Sequence, residues 1–292
     1  MIKLGKCPII IPTSHGYDML VHPGKRRFIE NAIFFNGSYE RGTIHLLDHC
    51  LREGDTFLDV GANIGMMSLF ASKRIGAEGV VYAFEPQKEI YEILKKNIEI
   101  NAATNIRPIR IGIGSSKKKA PFYRNITVGR GADSFIRESP EAPMWEESVE
   151  ILPLDSVVEE RGIETVRMIK IDVEGWELEV LKGAKALLSR PEAPILIVEC
   201  SRRRVNKGSP EEIFEFIKSV NRYLIYRPAK NKGTVSALIE IKTVGDLPYH
   251  DNLFCCPPEV QSSLPKTLFQ DQPAVRAKVK HQAVPVSLCY WN

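Results

Sequence analysis

Apolar residues fall along this chain in two alternating patterns. Strand-like, mostly apolar runs at 57–60, 80–84, 109–113, 168–171 and 195–198 are separated by stretches in which apolar positions recur at helical spacing. The first pattern marks strands buried on both faces, and the second marks helices with one buried stripe. Ile64, Met67, Ala71 and Ile75 form one stripe, Ile90, Ile93, Leu94 and Ile98 the next, and Trp176, Val180, Leu181, Ala184, Leu187 and Leu188 a third. Ser209, Pro210 and Glu211 read as a cap, a first-turn proline and an acidic first turn, and Ile213, Phe216, Ile217 and Val220 follow as a stripe. Strand and helix in alternation predict an α/β fold: a mostly parallel sheet with helices on both faces. Runs at 223–227, 237–241 and 253–255 have only turns between them, which predicts an antiparallel edge.

Two stretches break the alternation. Residues 117–153 hold a Lys117-Lys118-Lys119 run, Gly129-Arg130-Gly131, prolines that include Pro140, Pro143 and Pro153, and Trp145, and read as a long insertion with short strands. Residues 259–292 lack periodic apolar positions and read as a flexible basic tail, dispensable for folding after about Val260. The division that results is a strand and helix cap over 1–54, a main domain over 55–258, and the tail. At 292 residues with 43% hydrophobic and 26% charged composition, the chain has room for one sizeable α/β core with appendages. The net charge is +4, and residues 261–292 carry Lys266, Arg276, Lys278 and Lys280 against Asp271. A body so close to neutral argues against an extended nucleic-acid surface. The opening run at 8–12 is too short for a signal peptide or a span, so a cytoplasmic protein without membrane attachment is the expectation. The six cysteines lack zinc-ligand spacing and read as reduced packing residues. The histidines show no triad or metal pattern.

Candidate chemistry collects at strand ends, where ligands bind in open α/β sheets. The first strand runs into Asp59-Val60-Gly61-Ala62-Asn63-Ile64-Gly65, and the second ends at Glu85. Glycines permit a sharp turn close to a ligand, and a carboxylate ending the next strand can accept hydrogen bonds from both ribose hydroxyls. The spacing departs from the Gly-x-Gly-x-x-Gly of dinucleotide sites, which serves a pyrophosphate. An acidic turn without that spacing suits a cationic nucleoside, and S-adenosylmethionine is such a ligand. Gly61, Asn63, Gly65 and Asp59 are therefore cofactor candidates with Glu85. Ile113 reads as an adenine contact or as ordinary core. The fourth strand ends at Asp172 and the fifth at Glu199, and Asp172 is the foremost functional carboxylate. Glu174 reads as serving the next helix dipole. Ser156 and Glu159 form a capping-box pattern that gives Asp155 a structural role.

The series Asp59 to Gly65, Leu154-Asp155-Ser156, and Ile169-Lys170-Ile171-Asp172-Val173-Glu174-Gly175 continued by Glu177-Leu178 and Leu181-Lys182-Gly183-Ala184 resembles the FkbM-type S-adenosylmethionine-dependent methyltransferases. The similarity reaches from Gly37-Ser38-Tyr39-Glu40 to Asp251-Asn252-Leu253. It implies a class I, Rossmann-like fold with a seven-stranded sheet, and methyl transfer to a hydroxyl oxygen of a sugar, glycan or secondary metabolite. The family segment that matches Glu40 packs against the cofactor site, so Glu40 is either a contact to the methionine portion or a helix-start acid serving the dipole.

On this reading Asp172 both contacts the cofactor and positions or deprotonates the acceptor hydroxyl. Asp172 and Glu199 could instead share a divalent cation, an arrangement not favoured because too few further oxygen ligands can be assigned and Glu199 has the 202–204 arginine run as partner. An RNA or protein methyltransferase, and a catalytically silent cofactor-binding scaffold, are the alternatives. Oligomeric state is not legible.

Overall fold

The computed structural model describes residues 8–25, 27–125, 134–136, 144–202 and 208–269. At its centre is an eight-stranded sheet of β1 (Thr56–Val60), β2 (Val80–Phe84), β3 (Ile106–Ile109), β4 (Met168–Ile171), β5 (Ile195–Ser201), β6 (Leu224–Pro228), β7 (Leu238–Glu240) and β8 (His250–Cys256). Its order is β7-β6-β8-β5-β4-β1-β2-β3. The five strands from β3 to β5 are parallel, while β8 pairs antiparallel with both β5 and β6, and β7 antiparallel with β6. The seven strands implied by the resemblance are therefore joined by an eighth, the three-residue β7, at the outer edge.

The central strands are apolar because both faces are covered. All seven residues of β5 and all four of β4 are buried. Side chains alternate between two cores. Phe57, Met168, Ile195, Ile197 and Phe254 face one, which is covered by the helices Arg41–Cys50, Met66–Ile75 and Lys88–Ile100. Leu58, Val60, Ile169, Ile171, Leu196 and Val198 face the other, covered by Leu154–Glu160, Glu177–Gly183 and Pro210–Val220. On the first face the apolar series gives way at the strands' carboxyl ends to Asp59, Lys170, Glu199 and Asn252, all at most 5% exposed. The register sets Asp59 opposite Lys170, and Glu199 opposite Asn252. A polar patch is thus built into one end of one core.

Several expectations are corrected. The third strand lies at Ile106–Ile109 rather than 109–113, because the Ile111 N–H folds back on the Ile109 carbonyl (3.1 Å) and ends it. Pro108, which lacks an N–H, is tolerated because β3 is a sheet edge. Gly112–Ile113 instead joins a separate three-stranded sheet with Lys118–Asn125 and Met144–Leu152, so the insertion's strands are long. Gly129-Arg130-Gly131 lies outside the described residues. The Ser156–Glu159 capping box does not form: Pro153 occupies the N-cap. Asp155 instead accepts from the Ala186 and Leu187 N–H groups (2.8 and 2.9 Å), a structural task on a neighbouring helix.

The capping box at Ser209 with Glu212 does form. Beyond Val260 the chain still packs: Leu264 and Leu268 are buried in the first core, and Phe269 lies 5.0 Å from Tyr226 between ring centroids. The packed body therefore extends at least to Phe269, and residues 270–292 lie outside the described set. Cys50, Cys200, Cys255 and Cys256 are free and buried, while Cys7 and Cys289 fall outside the described residues. Among the described residues no helix is long and apolar enough to cross a membrane.

Candidate active site

The turn after β1 is shaped by its neighbours. Gly61 (φ +82°) and Ala62 donate their N–H groups to the Phe84 carbonyl (3.0 and 2.9 Å), tying the turn to the end of β2. Asn63 takes the left-handed conformation (φ +51°), which Asn tolerates better than most residues, and its side-chain oxygen accepts from the Ile64 N–H (2.8 Å). Its own N–H donates to Glu85 Oε2 (3.0 Å), while Gln87 N–H donates to Glu85 Oε1 (3.0 Å). The Glu85 carboxylate is thus held by two backbone donors beside the turn.

These groups line a cavity of about 330 Å³. Of the residues singled out in the sequence, Glu40, Gly61, Asn63, Glu85, Ile113 and Asp172 all border it, and Glu174 and Glu199 do too. Phe84, Ile90, Ile111 and Ile113 give one side an apolar surface. Asp59 and Gly65 are not among the lining residues. Asp59 is fully buried behind the turn, with Oδ2 accepting from Ser68 Oγ (2.6 Å). Gly65 (φ +94°) caps the helix Met66–Ile75, and a Cβ there would come 2.5 Å from Leu94 Cδ1. Both support the cavity wall instead of forming it.

The three basic lining residues, Lys170, Lys232 and His250, were not assigned to the site by the sequence reading. Lys170 Nζ lies 3.3 Å from Asp172 Oδ2, and a lysine inside the apolar run Met168–Ile171 was its visible signal. Lys232, in an Asn-Lys-Gly-Thr stretch that reads as an ordinary turn, gave none. Its Nζ lies 2.7 Å from Glu199 Oε1, 2.7 Å from Glu40 Oε1 and 3.9 Å from Asp172 Oδ2. His250 Nδ1 lies 3.0 Å from Ser201 Oγ and its Nε2 4.0 Å from Glu199 Oε1. The expected pairing of Glu199 with the arginine run is replaced by Lys232. Arg202 pairs with Glu211, and Arg203 and Arg204 lie outside the described residues.

The electrostatics divide the carboxyls. Burial alone would push Asp172 upward, but Lys170 and Lys232 outweigh it and hold the group down at about 2. Glu199 is raised by burial and by the nearby Asp172 charge, against the pull of Lys232. Burial and Glu199 push Glu177 up to about 8. Glu177 Oε1 accepts from the Val173 and Gly175 N–H groups (3.2 and 3.0 Å), so it is Glu177 that closes the turn after β4. Glu174, expected to serve the helix dipole, stands in left-handed backbone (φ +55°) before that helix and borders the cavity. Acidic neighbours keep both Lys170 and Lys232 above the ordinary lysine value despite burial.

Residues 59–228 match the methyltransferase FkbM domain. The hexuronic acid methyltransferase AglP of Haloferax volcanii is 32% identical over 144 residues, covering 49% of this chain and 56% of that protein. The 31-O-demethyl-FK506 methyltransferase FkbM of Streptomyces tacrolimicus is 29% identical over 191 residues, 56% of this chain and 71% of that protein. The chain thus spans little more than half the length of the haloarchaeal relative. Among solved structures, a putative rRNA methylase from Clostridium thermocellum aligns over 75% of this chain and 94% of its own with 14% identity and a TM-score of 0.44. With a Rossmann-like sheet and a match that runs from the end of β1 to the end of β6, the chain belongs to the FkbM methyltransferase family, with its class I fold.

Proposed function

We propose that the protein transfers a methyl group from S-adenosylmethionine to a hydroxyl oxygen of a sugar, glycan or secondary metabolite. The observation that carries this reading is the pairing of the Glu85 carboxylate, fixed by the Asn63 and Gln87 N–H groups, with a cavity whose other end is acidic. Five carboxyl groups (Glu40, Glu85, Asp172, Glu174 and Glu199) line the cavity against two lysines. That charge balance favours a cationic ligand over a pyrophosphate. Glu85 suits a ribose diol, the apolar wall from Phe84 to Ile113 an adenine, and Glu40 with the Gly61–Asn63 backbone the methionine portion. When bound, the cofactor supplies a methyl carbon already activated by its sulfonium, whose sulfur keeps the bonding pair. The remaining work is orientation, exclusion of water and disposal of one proton.

Asp172 is the group we assign to that proton. An alcohol is far too weak an acid to give its proton to a carboxylate held at about 2 before transfer begins. As the new oxygen–carbon bond forms, the oxygen turns strongly acidic, and Asp172 Oδ2 then receives the proton late in the step. Tyr39, Phe122 and Phe135 line the same cavity and help to exclude water. The acceptor class draws on the relatives, one named for a hexuronic acid and another for a 31-O-demethyl compound.

Incubation of the protein with S-adenosylmethionine labelled in the methyl group and fractionated cell metabolites is expected to label a hydroxyl-bearing small molecule or glycan. Ribonuclease-sensitive labelling would instead favour an RNA acceptor, and cofactor binding without any labelled product would favour a scaffold. Calorimetry adds a test of the cofactor site: Glu85→Ala is expected to weaken S-adenosylhomocysteine by about 1.5–3 kcal/mol, the scale of hydrogen bonds to a charged group. An unchanged affinity would move the ribose elsewhere.

A further inference from the structure

Lys232 lies on the connection between β6 and β7, and its backbone is locked on both sides. Its N–H donates to Asp251 Oδ1 (2.9 Å). Its carbonyl accepts from the Gly42 and Thr43 N–H groups (2.9 and 3.3 Å), two of the donors that a helix start leaves unpaired. Gly42 makes the approach possible, since a Cβ there would stand 2.8 Å from the carbonyl oxygens of both Lys232 and Thr234. The connection is thereby fastened to the helix that also carries Thr43, which donates to Glu40 (2.9 Å). The side chain that results is delivered into the cavity at 15% exposure, a costly place for an ammonium unless it is paired and used.

Its surroundings define the use. Asp172, Glu174 and Glu199 offer oxygen atoms that all lie within 4.8 Å of one another, a grouping that could hold a metal ion. Lys232 Nζ already donates to one of the three, Glu199 (2.7 Å), stands 3.9 Å from a second, Asp172, and is paired from the other side by Glu40 (2.7 Å). We infer that Lys232 is the built-in cation of this site: its ammonium takes the place that a divalent ion would take among these carboxylates and holds the acceptor oxygen against Asp172. The inference rests on the reading of the cavity as a methyl-transfer site. An ammonium has three donors, and with one given to Glu199 and Glu40 held as an ion pair without a hydrogen bond, a donor remains for a ligand oxygen. The 3.9 Å gap to Asp172 Oδ2 is too long for a hydrogen bond but fits one oxygen between the two groups. An oxygen about 2.8 Å from each would subtend roughly 90°, near the geometry of a hydroxyl that accepts one hydrogen bond and donates another. Its second lone pair is then left for the methyl carbon, and its proton already faces the atom that receives it.

The test titrates Mn²⁺ and, separately, S-adenosylhomocysteine into the wild type, Lys232→Met and Lys232→Arg by calorimetry. The wild type and Lys232→Arg are expected to show no Mn²⁺ site, whereas Lys232→Met, with Glu199 left without its ammonium and Lys170 beside Asp172 alone, gains one, with an apparent affinity at least about tenfold above any residual wild-type binding. Affinity for S-adenosylhomocysteine is expected to be nearly the same in all three. A wild-type Mn²⁺ site that Glu199→Gln removes would overturn the inference, and this measurement stands even if Lys232→Met fails to fold. Loss of S-adenosylhomocysteine binding in Lys232→Met and Lys232→Arg would place the ammonium on the cofactor's carboxylate, and overturns it equally. With an acceptor from the labelled-methyl screen, Lys232→Met is expected to lower turnover about a hundredfold and raise the acceptor KM, with partial rescue in Lys232→Arg. Full activity of Lys232→Met in EDTA would defeat the positioning role. A wild type that transfers no methyl group defeats the functional reading instead, while the Mn²⁺ arm still decides where the cation sits.

Discussion

Gly61→Ala is expected to remove a large part of the protein's folding stability, while Gly54→Ala, at the same φ, costs little. Both glycines have φ +82°. A Cβ at Gly54 meets nothing within 4 Å, so that substitution carries only the left-handed backbone penalty, about 1 kcal/mol. A Cβ at Gly61 would stand 1.9 Å from the Asp172 carbonyl oxygen and 3.3 Å from Val173 Cγ1. Neither neighbour can step aside. The Asp172 N–H is bonded to the Val60 carbonyl (3.1 Å), and Val60 pairs with Ile171 in the parallel ladder, so relief requires the ends of β1 and β4 to part. Overpacking of a rigid core costs about 1–3 kcal/mol and occasionally more. Added to the backbone penalty, this gives a loss of roughly 2–4 kcal/mol against the 5–15 kcal/mol typical of a domain. Urea unfolding of the two variants side by side measures it. Equal losses would mean that Gly61 serves only its conformation and that the crossing of β1 and β4 is loose. The result also bears on the site, because the same contact sets the distance between the glycine turn and Asp172.

That contact shows where the sequence was legible and where it stopped. The strands β1, β2, β4 and β5 could be placed from apolar runs because burial on both faces demands such runs. The shift of β3 could not, because Ile109, Ile111 and Ile113 keep a strand-like alternation across Arg110 and Gly112 although the chain there has already passed into a different sheet. Glu85 and Asn63 were legible because their partners lie within one βαβ unit, as the Asn63–Glu85 hydrogen bond shows. Asp59 was placed correctly at the end of its strand but misread as a cofactor contact: the alternation of side chains turns it toward Ser68 and Lys170 behind the turn. Lys170 stood out as a charge in a buried strand, yet its partners follow from register, which one sequence does not reveal. Lys232 depends on a loop carbonyl meeting a helix start some 190 residues earlier, as its bond from Gly42 N–H shows. Nothing local marks such a contact. The packing of Leu264 and Leu268 escaped for a related reason, since isolated leucines in an aperiodic stretch can still fill a core.

Asp172→Asn is expected to lower turnover by about a hundredfold or more, close to 2.7 kcal/mol of transition-state stabilisation, while leaving S-adenosylhomocysteine affinity almost unchanged. The amide keeps the shape of the carboxylate and can still accept a hydrogen bond, but it cannot take up the proton that the acceptor oxygen sheds. It also leaves the buried Lys170 with Asp59 and Glu40 as its acidic neighbours. Breaking a buried pair from one side costs on the order of 3–5 kcal/mol, so part of the effect will appear as lost stability, and turnover must be measured on protein shown to be folded. The pH profile separates proton uptake from mere support. Because Lys170 and Lys232 hold Asp172 at about 2, it stays ionised throughout the range in which the protein can be assayed. Wild-type turnover should therefore show no inflection from this group between about pH 5 and 8, and Asp172→Asn should lie below it by a constant factor. An acid limb near neutrality that vanishes in Asp172→Asn would mean that the carboxyl titrates much higher and acts as an early base, with the two lysines engaged elsewhere. Full activity in the variant would remove Asp172 from the mechanism altogether and leave Glu199 and His250 as the remaining acceptors for the proton.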